Sequence, residues 1–306
     1  MSAAHHHDHH HEHPHSHGET AGRLMWFAVA LTLGFAAVEA GVGWWAGSLA
    51  LVADAGHMVN DALALVIAAV ASWVSRRPVS QRHSYGLGRA EFIAALVNSL
   101  GLLVLVAWIS VSAVQRWHTP QAVQGEAVSL TAALGLLINI GVAWLLFRGE
   151  QNLNTRAALL HVMGDLLGSV AALIAGVVIV FTGWTPIDPL LSLAIGALIL
   201  VSSLRLLRQA LHGIMEGVPL HLSLEEIGQE MACVPGVISV HDLHVWSVAS
   251  EKIMLSAHLT VADIGHWEAI LADSRKLLHE RFGIDHVTLQ PEPAVQIISW
   301  RSRERD

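Results

Sequence analysis

The sequence predicts an α-helical membrane protein, a six-span transmembrane bundle followed by a small C-terminal cytoplasmic α+β domain of order αββαβ. Three observations carry this prediction. Charge is scarce: the 306 residues are 53% hydrophobic and only 14% Asp, Glu, Lys or Arg, against about 25% charged in an ordinary soluble domain. The shortage is also uneven, because residues 24–207 are nearly continuous apolar sequence with short polar breaks. After His212 the charges return, and the pattern becomes that of short helices and alternating strands. The expected divisions are a disordered arm over 1–22, the membrane domain over 23–210, and a small cytoplasmic domain with its tail over 211–306.

About 20 apolar residues cross the hydrocarbon core. Six segments qualify, over 24–45, 51–74, 92–114, 127–147, 158–181 and 187–204. An even count puts both termini on one side. That side carries Arg23, Arg76, Arg77, Arg82, Arg89, Arg148, Arg156, Arg205 and Arg208, whereas the other carries Arg116. By the Lys/Arg bias of short loops, both termini are expected in the cytoplasm. No charged n-region, short h-region and cleavage site precede the first span, so no removable signal peptide is expected.

Before the first span, His5 to His17 interleave with Asp8, Glu12 and Pro14. Such a tract cannot pack a core and is expected to be disordered. The interspersed acidic residues and proline argue for a metal-collecting arm over a purification tag. Imidazole suits zinc, copper and nickel alike, so the arm does not choose among them. The first span carries Glu39 alone among apolar residues, with Trp44 and Trp45 where an interfacial aromatic belt belongs. Glu39 either assists proton movement or sits protonated in a hydrogen bond; sequence leaves both open.

The second span holds His57-Met58-Val59-Asn60-Asp61 and the fifth holds His161-Val162-Met163-Gly164-Asp165. Residues four apart share a helix face, so each His-x-x-x-Asp sets an imidazole beside a carboxylate. Two such pairs facing each other supply two nitrogens and two oxygens, a set that suits tetrahedral Zn²⁺. Polar groups cost about 2.5 to 3.5 kcal/mol each at a helix centre, roughly 10 kcal/mol for four, and a divalent cation offsets that. A buried interhelical hydrogen bond explains one such pair, but two identical pairs on different spans point to metal. Asp54, one turn before His57, is a gate or spare ligand. Asn98 and Asn139 are expected to hydrogen-bond across helices, and Gly164 and Gly168 to let helices approach closely.

After His212, helices are expected over 224–233 and 265–282, and strands over 237–248, 252–261 and 286–290. Cys233 is the single cysteine, which excludes an internal disulfide framework and any cysteine-based zinc finger.

The paired His-x-x-x-Asp motifs resemble the cation diffusion facilitator family of zinc transporters. So do the loop His83-Ser84-Tyr85-Gly86-Leu87-Gly88-Arg89-Ala90-Glu91, the run Asp188-Pro189-Leu190-Leu191-Ser192, the run His241-Asp242-Leu243-His244-Val245-Trp246, and the six-span layout. The likeness covers about 25–293. It implies a homodimer that exchanges cytoplasmic Zn²⁺ for protons at His57, Asp61, His161 and Asp165. A histidine at the first position implies zinc, sometimes cadmium, rather than manganese. The resemblance also implies a ferredoxin-like cytoplasmic domain that dimerises and binds further zinc at or beside His241, His258, His286 and Glu292, with His244 a nearby competitor. Some relatives bind a second metal after the second span through a histidine where this chain has Leu87. His83 alone makes a weak site, so that loop is expected to act as a hinge whose Arg89 and Glu91 anchor the third span.

An enzyme is not expected: the chain lacks His-Glu-x-x-His, a Ser or Cys nucleophile beside a base, and a nucleotide-binding Gly-x-x-x-x-Gly-Lys-Ser/Thr loop. With a net charge of −8 and no basic stripe, nucleic acid is not an expected partner. The expected partners are divalent cations, protons, membrane lipid and a second copy of the chain, in a bacterial inner membrane. The competing reading is a membrane-anchored metal-binding or sensing protein without coupled transport.

Overall fold

A computed structural model describes residues 16–148, 153–250 and 252–294, with the side chains of 16–29, 146, 148, 153–158, 160 and 161 outside that description. Residues 1–15 of the expected arm therefore lie outside the described residues, whereas 16–22, expected to be disordered, form the first turns of the first helix. Six long helices follow in chain order: α1 (Ser16–Ala46), α2 (Leu49–Ser75), α3 (Ala90–His118), α4 (Gly125–Arg148), α5 (Leu153–Thr182) and α6 (Ile187–Ile214). They fall on the six predicted spans and overrun most of their ends, because a helix continues past the hydrocarbon into turns that carry charge, such as Arg116 and His118 at the end of α3. Among the described residues, five are long and apolar enough to cross a membrane, and α1 contributes the shorter apolar stretch Ala30–Ala46.

The chain divides into two compact units, Met1–Leu63 with Gly101–Val201, and Ala64–Leu100 with Ser202–Asp306. In the first, small residues set the packing: Ala46, Ala50, Leu51, Val128, Ala132 and Ala172 form one buried cluster joining α1, α2, α4 and α5. Small side chains let helix backbones approach where the hydrophobic effect gives no drive between helices. Leu49 and Ala53 pack on Ile109 and Ala113 of α3, and Leu102 and Val106 of α3 pack on Ile195 and Ile199 of α6. Larger apolar residues such as Val104, Leu130, Leu137 and Leu167 face outward, as a lipid-facing surface requires.

The second unit contains α7 (Leu224–Ala232), β1 (Val237–Ala249), β2 (Lys252–Val261), a 3₁₀ turn (Ile264–His266), α8 (Trp267–Phe282) and β3 (His286–Pro293). This is the predicted αββαβ order. The sheet runs β1-β2-β3, with β1 antiparallel and β3 parallel to β2. Ile227 and Met231 of α7 and Ile270 and Leu278 of α8 cover Val245, Leu255 and Leu259 of the sheet. Ser223 caps α7 by accepting the Glu226 N–H, and Gly283 ends α8 at φ 65°. Two boundaries differ from the sequence reading by more than one residue. Residues 264–266 form a separate turn because the Asp263 side chain accepts the Gly265 N–H at 2.8 Å. The last strand runs on to Pro293 because pairing with β2 continues through Val261.

The loop between α2 and α3 does more than bend. Glu91 accepts from Ser75 Oγ at 3.0 Å, from Ser250 Oγ at 2.6 Å and from the Ser250 N–H at 3.0 Å, and Arg89 pairs with Glu216. A Cβ on Gly88 would lie 2.7 Å from the Val248 carbonyl oxygen. The start of α3 is thus docked on the turn between β1 and β2, a partner that the local sequence does not name.

Candidate metal centre

On α2 the four-residue spacing does what helix geometry demands: His57 Nε2 lies 3.3 Å from Asp61 Oδ2, and the two side chains are 20% and 17% exposed. Asp165 projects from α5 and is buried, at 2% exposure. One donor atom from each of His57, Asp61 and Asp165 lies within 4.8 Å of the others. His161 sits on α5 one turn before Asp165, which puts it on the same helix face; its side chain lies outside the described residues.

Asp54 has a different setting. It is buried, and its Oδ2 accepts from Ser169 Oγ at 3.4 Å, while Ser169 Oγ in turn accepts from Asn139 Nδ2 at 3.2 Å. Asn139 thereby bridges α4 to α5, the interhelical role expected of it. Gly168 makes room for the carboxylate, since a Cβ there would stand 2.1 Å from Asp54 Oδ1. Gly164 has no such neighbour among the described residues, its Cβ position having nothing within 4 Å. Close approach therefore depends on Gly168, and the expectation for Gly164 is corrected: its position on α5 faces open space. Glu39 of α1 is buried against Gly135 of α4, whose Cβ would lie 2.9 Å from Glu39 Oε1, and among the described residues neither carboxylate oxygen has a hydrogen-bond partner.

A second group of metal-binding side chains lies on the sheet. His241 of β1 and His258 of β2 are direct cross-strand partners with ring centroids 5.5 Å apart. Glu292 of β3 reaches both, with Oε2 at 3.1 Å from His241 Nε2 and Oε1 at 2.8 Å from His258 Nδ1. The hydrogen bond from His258, with the nearby His241 charge, holds the Glu292 carboxyl below its usual range. Asp242 joins the group, because one donor atom from each of His241, Asp242 and His258 lies within 4.8 Å of the others. Strict strand alternation would send residues 241 and 242 to opposite faces. Here the β1 register shifts between His241 and His244, and Asp242 adopts φ 49°, which re-aims it. The bulge is invisible to a period-two reading, and the only sequence signal was an acidic residue between two histidines.

Of the other two predicted histidines, His244 is the near neighbour it was expected to be, and His286 is displaced along its strand. His244 lines a cavity of about 410 Å³ with Asp242, Ser256, His258, Thr288 and Gln290, outside the three-residue group. His286 stands opposite Met254, while Gln290 stands opposite His258. Four residues of strand are about 13 Å, so β3 register carries His286 away from the cluster. His83, in the turn closed by Ser80 N–H to its carbonyl at 3.2 Å, is exposed and belongs to neither group.

The family profile of the cation efflux transmembrane domain matches residues 25–215, and that of the cation efflux protein cytoplasmic domain matches 219–294. The chain belongs to the cation diffusion facilitator family of cation efflux proteins. Among members of this family, the zinc transporter ZitB of Escherichia coli strain K12 is 43% identical over 273 residues, covering 88% of this chain and 87% of the relative. The cadmium, cobalt and zinc/H⁺-K⁺ antiporter of Bacillus velezensis is 36% identical over 269 residues, covering 85% of each. The solved metal-bound C-terminal domain of the CzcD transporter from Cuprividus metallidurans is 34% identical, covers 23% of this chain and 99% of its own, and has a TM-score of 0.22. As a cation efflux protein the chain is an integral membrane protein whose relatives are transporters rather than enzymes.

Proposed function

We propose that this protein exports Zn²⁺ from the cytoplasm of a bacterial cell in exchange for protons, with Cd²⁺ or a related ion as a further substrate. The seat is formed by His57, Asp61, His161 and Asp165. The observation that carries the reading is the convergence of His57 and Asp61 from α2 with Asp165 from α5 inside an apolar bundle. The names of the two relatives, a zinc transporter and a cadmium, cobalt and zinc/H⁺-K⁺ antiporter, support zinc as substrate and H⁺ among the counter-ions.

The donor chemistry supplies the coupling. Metal binding needs neutral imidazole and ionised carboxylate, so Zn²⁺ and protons compete for the same atoms. Facing the cytoplasm, the seat loses protons and takes the cation; facing outward, it releases the cation and is reprotonated on His57 or His161. Moving Zn²⁺ out against 100 mV, inside negative, costs about 4.6 kcal/mol, and one entering proton returns about 2.3 kcal/mol plus the pH gradient. Structural zinc sites bind with about 10 to 16 kcal/mol. A seat that must release its ion needs less, and two carboxylates with two imidazoles and no thiolate suit that. Asp54, held by Ser169 one turn away, serves as the gate.

In this reading residues 1–22 collect metal, 23–210 transport it, and 211–306 dimerise and sense it, with both termini cytoplasmic and the chain acting as a homodimer. His241, Asp242, His258 and Glu292 offer the nitrogen and oxygen donors that zinc accepts, while His244 and His286 lie outside that set.

Proteoliposomes test the proposal. Zn²⁺ uptake driven by an imposed pH gradient is expected for the parent and absent in Asp61→Ala. Flux that ignores the pH gradient, or persists in Asp61→Ala, overturns it.

A further inference from the structure

At the end of α2 away from Arg76, one carboxylate ties three helices together. Asp188, at the start of α6, is completely buried. Its Oδ1 accepts from Ser48 Oγ at 2.6 Å and from the Ala50 N–H at 3.2 Å, and its Oδ2 accepts from the Leu49 N–H at 2.7 Å. The Arg116 guanidinium, from the last turn of α3, stands 3.6 Å from Oδ2 and also donates to the Gly47 carbonyl. The first N–H groups of a helix have no intrahelical partner. Here they are satisfied by a side chain nearly 140 positions away in sequence, while the local cap, Ser48, accepts the Leu51 N–H at 3.3 Å and donates its own O–H to Asp188.

A buried carboxylate left uncompensated is strongly destabilising. Three hydrogen-bond donors and the Arg116 guanidinium converge on this one, and charge-assisted bonds are about twice as strong as neutral ones. The preceding turn is equally constrained: Gly47 has φ 71°, and a Cβ on it would lie 2.7 Å from the Ala122 carbonyl oxygen. The start of α2 therefore has one position and one rotation.

That rotation matters downstream. Leu49, Ala50, Leu51, Ala53, Asp54 and Ala55 are all buried, so α2 is clasped through its first two turns before it reaches His57. At 1.5 Å per residue, His57 is about 12 Å from Leu49. A 20° turn of α2 would displace a side-chain atom some 5.5 Å off the axis by about 2 Å. Metal-ligand distances tolerate only about 0.2 Å.

We infer that Asp188 is a positioning residue for transport: by taking Ser48, Leu49, Ala50 and Arg116 onto one carboxylate, it sets the rotation of α2 and holds His57 and Asp61 toward Asp165. The inference rests on the seat proposed above.

The test is calorimetric titration of the full chain in detergent with Zn²⁺, comparing the parent, Asp188→Asn and Arg116→Gln. The Asp165→Ala titration is subtracted to remove binding at the histidine arm and the sheet. Asp188→Asn keeps the shape of the side chain and loses its charge. The expected result is a seat that binds with unchanged stoichiometry but at least tenfold weaker affinity, with Arg116→Gln several-fold weaker in the same direction. A purely structural role would lower the fraction of competent protein, so stoichiometry would fall while Kd held. That outcome, or a Kd within twofold of the parent in both variants, overturns the inference. If Asp188→Asn does not purify as a single species, Arg116→Gln and Ser48→Ala decide by the same criteria. Asp165→Ala binding as tightly as the parent is a separate failure, since it removes the seat itself.

Discussion

The Asp54 carboxylate fills the space that Gly168 leaves empty: a Cβ on residue 168 would stand 2.1 Å from Asp54 Oδ1. Gly168→Ala must push that carboxylate away from Ser169 or spread α2 from α5. Overpacking of this kind costs about 1 to 3 kcal/mol. Thermal melting of the purified protein is expected to show that loss together with reduced Zn²⁺ flux. Gly164→Ala, with nothing within 4 Å of its Cβ position among the described residues, is expected to melt at or above the parent temperature, because alanine favours helix over glycine by about 1 kcal/mol. Equal effects at the two positions would contradict the assignment.

The hydrogen bonds from Asn139 to Ser169 and from Ser169 to Asp54 form a buried chain across α4, α5 and α2. Ser169→Ala removes the middle member and leaves polar atoms at both ends. Unsatisfied buried groups cost about 1 to 3 kcal/mol each. Ser169→Ala and Asn139→Ala are expected to be non-additive in a double-mutant cycle of melting free energies; strict additivity would show that the chain does not act as a unit.

Glu292 links pH to the stability of the sheet domain. Its carboxyl is held low, first by the hydrogen bond from His258. A depressed carboxylate contributes stability that is complete above its unfolded value, about 4.3, and is lost as pH falls through the lower folded value. As pH falls below that unfolded value, the parent melting temperature is therefore expected to fall more steeply than that of Glu292→Gln. Parallel curves would remove Glu292 from the linkage.

Metal loading of the same cluster is open to direct measurement. If His241, Asp242, His258 and Glu292 share an ion, adding Zn²⁺ raises the melting temperature by mass action, and a chelator reverses it. Asp242→Ala is expected to weaken this response, whereas His286→Ala is expected to leave it unchanged. The reverse ranking would restore the ligand set inferred from family resemblance.

Docking of α3 on the β1–β2 turn yields a further expectation. A side chain on residue 88 would meet the Val248 carbonyl oxygen at 2.7 Å and Ala249 Cβ at 2.8 Å. Gly88→Val must break the contact that Glu91 makes with Ser250. Hydrogen exchange at Ser250 is expected to accelerate in Gly88→Val, and unchanged protection would argue against the contact.

Several features were readable from residues alone because they depend on local rules. Span number and position follow from the length of apolar sequence needed to cross a bilayer, and the His57–Asp61 pairing follows from the 3.6-residue turn. The αββαβ order followed from alternation and turn residues. The tertiary structure decided the rest. It assigned Asp54 to Ser169 and Asn139, brought Asp188 to the start of α2, turned Asp242 toward His241 through a bulge, and carried His286 about 13 Å along its strand from the cluster. Each of these depends on which distant segment supplies the partner atom. Local periodicity states the face a side chain occupies, but it contains no term for the helix or strand that will stand opposite.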